Sequence, residues 1–283
     1  EAGIVVDMYK ALKLITMDVI GLTGFGIDFK CGTSIDSQLP PAPAAFEEML
    51  TQMGQRLNSL SPLSENYTLP TPQNLRFKKC RQVLREEILQ VVRERAQLRE
   101  RKARGESNEE EHDDIMKYMV PEDEHEMPFT EDETIDELVV LLVAGFDTTS
   151  IFLTYCLHEL AMHPEVEKKV QEEVDALFEK KNGEPLGYDD VMHLRYCNLV
   201  MKETLRLHPP APLTNRTASK DIKLSNGTVL PKGTEVWLPI VQIHTCEHNW
   251  GSDAREFKPE RFEEVDGHLS HHQFAFIPFS GGM

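Results

Sequence analysis

Gly145, Asp147 and Thr148 stand at the end of an apolar run, Leu138-Val139-Val140-Leu141-Leu142-Val143-Ala144, where structure alone gains little from them. A glycine in a helix interior costs roughly 1 kcal/mol against alanine, and a carboxylate among apolar neighbours is costlier still without a partner. Chemistry gains more. Gly145 leaves room for a flat cofactor or small ligand to approach the helix, and the Thr148 hydroxyl can rotate to donate or accept a proton. Taken alone, the same residues also admit a capped kink with a satisfied threonine.

Glu203 and Arg206 are three residues apart, so on a helix they share a face and can pair. Val200, Met201, Leu205 and Leu207 around them indicate an internal setting, where losing one partner would strand a charge. Arg216 follows Pro209-Pro210-Ala211-Pro212-Leu213-Thr214-Asn215, too rich in proline for a helix. Its planar guanidinium suits a carboxylate; a solvated strand-edge arginine is the other reading. The runs His244-Thr245-Cys246-Glu247-His248 and His271-His272 lack the spacing of structural zinc, so no metal site is expected from them. Cys31, Cys80, Cys156, Cys197 and Cys246 form no CxxC pair, which points to a reducing compartment.

Mostly helical elements must carry these residues. Apolar positions at helical spacing run from Val5 to Phe25, with Gly24, Gly26 and Asp28 as the stop. Further helices are expected over 44–60 and 73–104, with Pro-containing loops at 34–43 and 61–72. From Arg76 to Arg104 there are 11 basic residues against 4 acidic ones, a pattern read as a solvated helical face. Thr130-Glu131-Asp132-Glu133 reads as a capping box. The helix it starts is apolar on every face and is expected to cross the interior until His163-Pro164. Helices over 164–178 and 189–208 follow. Beyond Arg216 the period changes: Asp221–Leu224, an Asn226-Gly227 turn, a Pro231-Lys232-Gly233 turn and Val229–Ile240 suggest a small sheet.

Lys and Arg number 30 against 48 Asp and Glu, a net charge of -18 that argues against nonspecific nucleic-acid binding. From Gly105 to Glu137, 15 acidic residues face one basic residue, Lys117, so this stretch carries -14 of the total and reads as a solvated loop. The longest uninterrupted apolar run, Leu138 to Gly145, falls short of the ~20 residues that span a bilayer, and no signal peptide is evident.

Four segments, Ala144-Gly145-Phe146-Asp147-Thr148-Thr149, Glu203-Thr204-Leu205-Arg206, Pro259-Glu260-Arg261-Phe262 and Phe279-Ser280-Gly281-Gly282, resemble in this order the cytochrome P450 family of haem-thiolate monooxygenases. Met17-Asp18-Val19-Ile20-Gly21 resembles a helix of the same family. The resemblance implies a mainly α fold with a minor β-sheet, incomplete at both ends, helical over 1–210 and sheet-and-meander over 211–283. It implies proton delivery to iron-bound dioxygen by Thr148, fed by Asp147, on a helix that widens locally. Ala144, Gly145, Arg216, Phe279 and Gly282 would contact the haem, with Arg216 on a propionate. Glu203, Arg206 and Arg261 would form a scaffold in which one glutamate lies between two guanidiniums, and Leu213 and Thr214 would touch substrate. The family motif Phe-x-x-Gly-x-Arg-x-Cys-x-Gly puts the ligand cysteine at the third residue beyond Met283, and neither Cys156 nor Cys246 lies in a matching loop. These residues alone are therefore expected to be inactive.

The implied whole protein inserts one atom of dioxygen into a lipophilic substrate, with electrons from an NADPH-dependent flavoprotein reductase. An N-terminal anchor on the cytosolic face of the endoplasmic reticulum is expected before Glu1. Two rivals are a haem-thiolate isomerase or dehydratase of the same fold, against which Asp147-Thr148 argues, and an acidic helical binding or scaffold protein without haem. Glu203, Arg206, Arg261 and Thr148 argue against the second.

Overall fold

The computed structural model describes residues 5–34, 39–57, 69–106, 114–119, 130–263 and 271–281. It is mainly helical with a minor antiparallel β component. The chain divides into two compact units, Glu1–Ser150 and Ile151–Met283.

In the first unit, α1 (Met8–Ile20) starts where the Asp7 carboxylate accepts from the Lys10 amide. It runs into a π turn, Gly21–Phe25, closed by Gly26 at φ 66°. A side chain at Gly21 would lie 2.6 Å from the Ile27 carbonyl oxygen and 2.7 Å from the Phe29 ring, so only glycine fits this turn. Helices α2 (Pro41–Leu57), α3 (Pro72–Ala103), α4 (Ile115–Met119) and α5 (Glu131–Met162) follow. The expected extension of α2 to residue 60, and the loop over 61–68, lie outside the described residues. Leu14, Phe46, Leu84, Leu138, Leu142 and Phe146 join α1, α2, α3 and α5 in one core, with Phe46 and Phe146 edge to face at 6.1 Å.

Two expectations need correction here. The acidic stretch is not solvated throughout: Asp114 is buried and bonded through both carboxylate oxygens to Arg95, itself buried on the basic face of α3. Arg95 also donates to the Phe25 carbonyl at 3.1 Å, tying α3 to the π turn. Nor is α5 buried all round. The capping box forms, with the Thr130 amide donating to Glu133 at 2.9 Å, and Ile135, Leu138, Leu142 and Phe146 make a buried stripe. Val140, Ala144 and Thr148 are exposed. Among the described residues α5 is the one helix long and apolar enough to cross a membrane, which the uninterrupted-run criterion missed. Its Asp147 and Glu159 nevertheless pair with the chain's own Lys13 and His208.

The second unit holds the rest of α5, α6 (Pro164–Lys181), α7 (Tyr188–Met192) and α8 (Arg195–Leu207). The single helix expected over 189–208 is two, because the Glu173 carboxylate of α6 accepts from the amides of Tyr196 and Cys197 at 2.9 Å each and so caps α8. Two small sheets follow. Strands β1 (Leu213–Thr217) and β4 (Glu235–Pro239) pair antiparallel from Leu213↔Pro239 to Thr217↔Glu235. Strands β2 (Ile222–Lys223) and β3 (Val229–Leu230) flank the turn at Gly227, whose φ is 88°. Short helices α9 (Ile240–His244) and α10 (Glu247–Trp250) lead into the terminal segment. Strand β1 and these helices were not legible as such in the sequence.

Candidate active site

In the first unit, the middle of α5 is rich in hydroxyl contacts. Thr148 donates to the Ala144 carbonyl at 2.6 Å, Thr149 to Gly145 at 2.7 Å and Ser150 to Asp147 at 2.8 Å. Thr16 of α1 donates to the Phe146 carbonyl at 3.0 Å. Four successive carbonyls thus accept a side-chain hydroxyl, yet the helix stays α throughout. The widening implied by the resemblance is absent from α5; the π turn found among the described residues closes α1.

Asp147 does not reach towards Thr148 as a relay between adjacent hydroxyl and acid would. Successive helical side chains diverge by about 100°, and the Asp147 carboxylate accepts from Tyr9 Oη at 3.2 Å and lies 3.8 Å from Lys13 Nζ. Burial first, and the Asp147 charge second, push the Tyr9 phenol up to about 12. The phenol therefore stays protonated and donates. A Cβ on Gly145 would sit 2.8 Å from Ile20 Cγ1, so this glycine is explained by the packing of α1 on α5. The open face belongs to Ala144 and Thr148, one turn apart.

That face continues into a cavity of about 580 Å³, with Met49 and Met53 of α2, Phe77 of α3, and Val140, Val143 and Ala144 of α5 among its lining. Its volume and apolar walls are those of a small-molecule site. Sequence reasoning missed these α2 and α3 residues, because methionines and a phenylalanine at helical spacing read as ordinary core.

The second unit contains the buried pair. Glu203 and Arg206 are wholly inaccessible, with Arg206 Nε 2.7 Å from Glu203 Oε2 and Nη2 2.7 Å from Oε1. Arg206 also donates to the carbonyls of His244 at 2.8 Å, Ala254 and Glu256 at 3.1 Å. All five guanidinium N–H groups are thereby used. Its Cζ lies 4.9 Å from the Trp250 ring centre.

Arg261 is the second guanidinium beside Glu203, but it makes its hydrogen bonds elsewhere. Its Nε is 3.4 Å from Glu203 Oε1, while its hydrogen bonds go to Asp253 Oδ1 at 2.8 Å, the Asp253 carbonyl and the Trp250 carbonyl at 3.3 Å. Arg261 and then Lys258 hold the Asp253 carboxyl well below the usual carboxylate range. The Lys258 amide supplies another bond to Glu203, at 2.8 Å.

His244 is buried beside this node. Nδ1–H donates to the Arg206 carbonyl at 3.1 Å, and Nε2 accepts from the Ile277 amide at 2.8 Å, so the ring pins the terminal segment to α8. Burial lowers it to about 4, which keeps it neutral and able to accept. The histidine run thus includes a structural pin, and among the described residues no three metal-type ligands cluster.

Arg216 on β1 donates to Thr214 Oγ1 at 3.1 Å, the Asn215 carbonyl at 2.8 Å, Ser280 Oγ at 2.9 Å and the Gly281 carbonyl at 3.1 Å. It therefore meets the terminal loop from an exposed position. Leu213 is 43% and Phe279 85% exposed. The left-handed turn in this loop falls at Ser280, φ 65°. Gly282 lies outside the described residues.

Each unit, taken by itself, carries residues that fit part of a haem. Arg216 is an exposed cation whose loop partners can be exchanged for a carboxylate, and Ala144 with Thr148 leaves a small, hydroxyl-bearing face. An axial thiolate is another matter. Burial pushes the thiols of Cys31 and Cys197 up to about 12 and that of Cys156 to about 11, so near neutrality they are protonated. Cys80 is also raised by burial, and Cys246 is exposed on the surface.

The family model described as Cytochrome P450 matches residues 1–283. The chain is 31% identical to "Cytochrome P450 CYP72A613" of Trigonella foenum-graecum across 98% of its length and 51% of the relative. It is 31% identical to the "Bifunctional cytochrome P450/NADPH--P450 reductase 2" of Bacillus subtilis (strain 168) over 98% of the chain and 25% of that protein. With "Cytochrome P450 3A11" of Mus musculus it shares 38% identity over 53% of the chain and 29% of the relative. The chain spans about half the length of the plant relatives it matches, 51% and 52% for two of them. With the family model matching residues 1–283 and the four motifs in order, the chain belongs to the cytochrome P450 family.

Proposed function

We propose that this chain is part of a haem-dependent monooxygenase that inserts one atom of dioxygen into a lipophilic substrate, with residues 1–283 forming part of one domain, helical to 210 and sheet-and-meander beyond. The observation that carries the reading is the apolar cavity, which reaches Ala144, one turn from the Thr148 hydroxyl. A bound haem with a thiolate ligand supplies reductive activation of dioxygen. Thr148 holds a proton at Oγ1: its bond to the Ala144 carbonyl is exchangeable, and the oxygen retains capacity to accept. Asp147, 28% exposed and held by Tyr9 and Lys13, would feed the hydroxyl only after its side chain leaves those partners and turns towards Thr148.

Arg216 would hold a propionate after exchanging its bonds to Ser280 and Gly281, and the resemblance counts Ala144 and Phe279 among the haem contacts. By resemblance, Leu213 and Thr214 of β1 are the candidates for substrate contact in the second unit. Glu203, Arg206 and Arg261 position the meander and take no part in the chemistry. The fused reductase in the name of the Bacillus relative supports an NADPH-dependent flavoprotein as electron donor. Location on the cytosolic face of the endoplasmic reticulum through an N-terminal anchor rests on likeness to eukaryotic relatives alone. We further propose that these 283 residues alone are inactive, since none of their cysteines lies in a loop that matches the family's ligand motif. Supplying the full-length protein with NADPH, a reductase, a lipophilic substrate panel and ¹⁸O₂ tests the reading. One labelled oxygen per product is expected; products without label would refute it.

A further inference from the structure

For Asp147 to turn towards Thr148 it must leave Lys13, and the charge it leaves behind decides how readily it goes. Lys13 is poorly placed to be left alone. Its side chain is 14% exposed, and its ammonium lies 5.6 Å from the centre of the Tyr9 ring and 5.8 Å from that of Phe146. A cation so withdrawn from water needs a carboxylate nearby. A second one is present: Glu47 Oε1 of α2 lies 3.5 Å from Lys13 Nζ, against 3.8 Å for Asp147 Oδ1.

The packing of α2 on α5 brings both acids to the same ammonium. Phe46 and Phe146 are buried edge to face at 6.1 Å, and Glu47 and Asp147 each follow one of these rings in the chain. Tyr9 and Lys13, four residues apart, share one face of α1. Lys258 in the second unit shows a lysine committed to two carboxylates: it is 47% exposed and lies 2.7 Å from Asp253 and 2.8 Å from Glu256. Lys13 stands off both of its partners. Neither contact has the length of a close charge-assisted hydrogen bond, so the ammonium is shared between the two acids and bound tightly to neither.

We propose that Glu47 is a positioning residue for proton delivery: it holds the Lys13 ammonium while the Asp147 carboxylate turns towards Thr148, and so sets how easily that acid is released. This rests on reading Asp147 and Thr148 as the proton-delivery pair, and it adds the residue that controls the acid. With Glu47 neutralised, Asp147 is the one carboxylate left within ion-pair distance of Lys13 among the described residues, and the ammonium draws it in. With Lys13 removed as well, Asp147 retains the Tyr9 hydroxyl, a neutral donor that lets go more cheaply than a buried cation.

The full-length protein, reconstituted with reductase and NADPH and given the panel member that yields labelled product, tests this with Glu47→Gln. Product per NADPH should fall about fivefold, a fraction of the ~10²-fold or more that a positioned acid supplies, and the solvent isotope effect on product formation should rise. Adding Lys13→Met should restore most of the lost coupling, which removal of a second partly buried side chain would not do if Glu47 served packing alone. In a crystal structure of Glu47→Gln, Lys13 Nζ should close from 3.8 Å to about 2.8 Å from Asp147 Oδ1. Unchanged coupling in Glu47→Gln, a loss that Lys13→Met does not reverse, or an ammonium that stays at its present distance overturns the role of Glu47. Asp147→Asn separates the two claims. Unchanged coupling there overturns the proton-delivery reading itself, whereas a loss there with none in Glu47→Gln overturns the Glu47 assignment and leaves that reading standing.

Discussion

The polar residues of mid-α5 and those around Arg206 are held in opposite ways. Thr148 is exposed and makes one bond to a carbonyl of its own helix, and Asp147 is partly open and is shared between Tyr9 and Lys13. Arg206 and Glu203 are fully buried, and every guanidinium N–H has an acceptor. A group that must exchange protons needs bonds it can break cheaply. A group that must keep a loop in place needs none. The contrast separates residues proposed for chemistry from residues that set geometry.

The largest expected effect breaks the rigid side. Arg206→Met should cost about 3–5 kcal/mol in urea unfolding, because the buried Glu203 loses its bidentate partner and keeps only the Lys258 amide and Arg261 at 3.4 Å. A loss below about 1 kcal/mol would show that water reaches the node. Next comes pH. His244 is depressed in the folded state from 6.5 to about 4, so the unfolded chain binds the proton first. Its contribution is full above pH 6.5 and is lost as pH falls towards 4, up to ~3 kcal/mol in all. In His244→Asn this component of the pH–stability curve should vanish; an unchanged curve would remove His244 as the pin.

Smaller effects sharpen the flexible side. Gly145→Ala gains helix propensity but drives a methyl to 2.8 Å from Ile20 Cγ1, so a net loss of ~1 kcal/mol is expected by thermal melting. Stabilisation instead would mean that Ile20 moves freely and that the glycine serves a ligand. Thr148→Ala should change stability by no more than ~0.5 kcal/mol, since its side chain is exposed.

How much of this the sequence revealed depended on how local each interaction was. The capping box at Thr130 was legible because its partner is three residues away, and Glu203 with Arg206 for the same reason. The His244 bonds to Arg206 and Ile277 cross 38 and 33 residues, and nothing in a run of histidines announces them. Arg261 was read as a second partner of Glu203, yet its main partner is Asp253, eight residues back. Asp114 looked like one more acid in a charged stretch; only its burial against Arg95, 19 residues away, sets it apart. The one-sided burial of α5 was likewise invisible, since residues lining a cavity and residues filling a core are equally apolar.

Coupling in the reconstituted full-length protein tests the central contrast most directly. With Thr148→Ala, NADPH consumption should continue while product falls at least tenfold and hydrogen peroxide rises, with the melting temperature unchanged. Product formed per NADPH at the unsubstituted ratio would contradict the assignment of Thr148 to proton delivery.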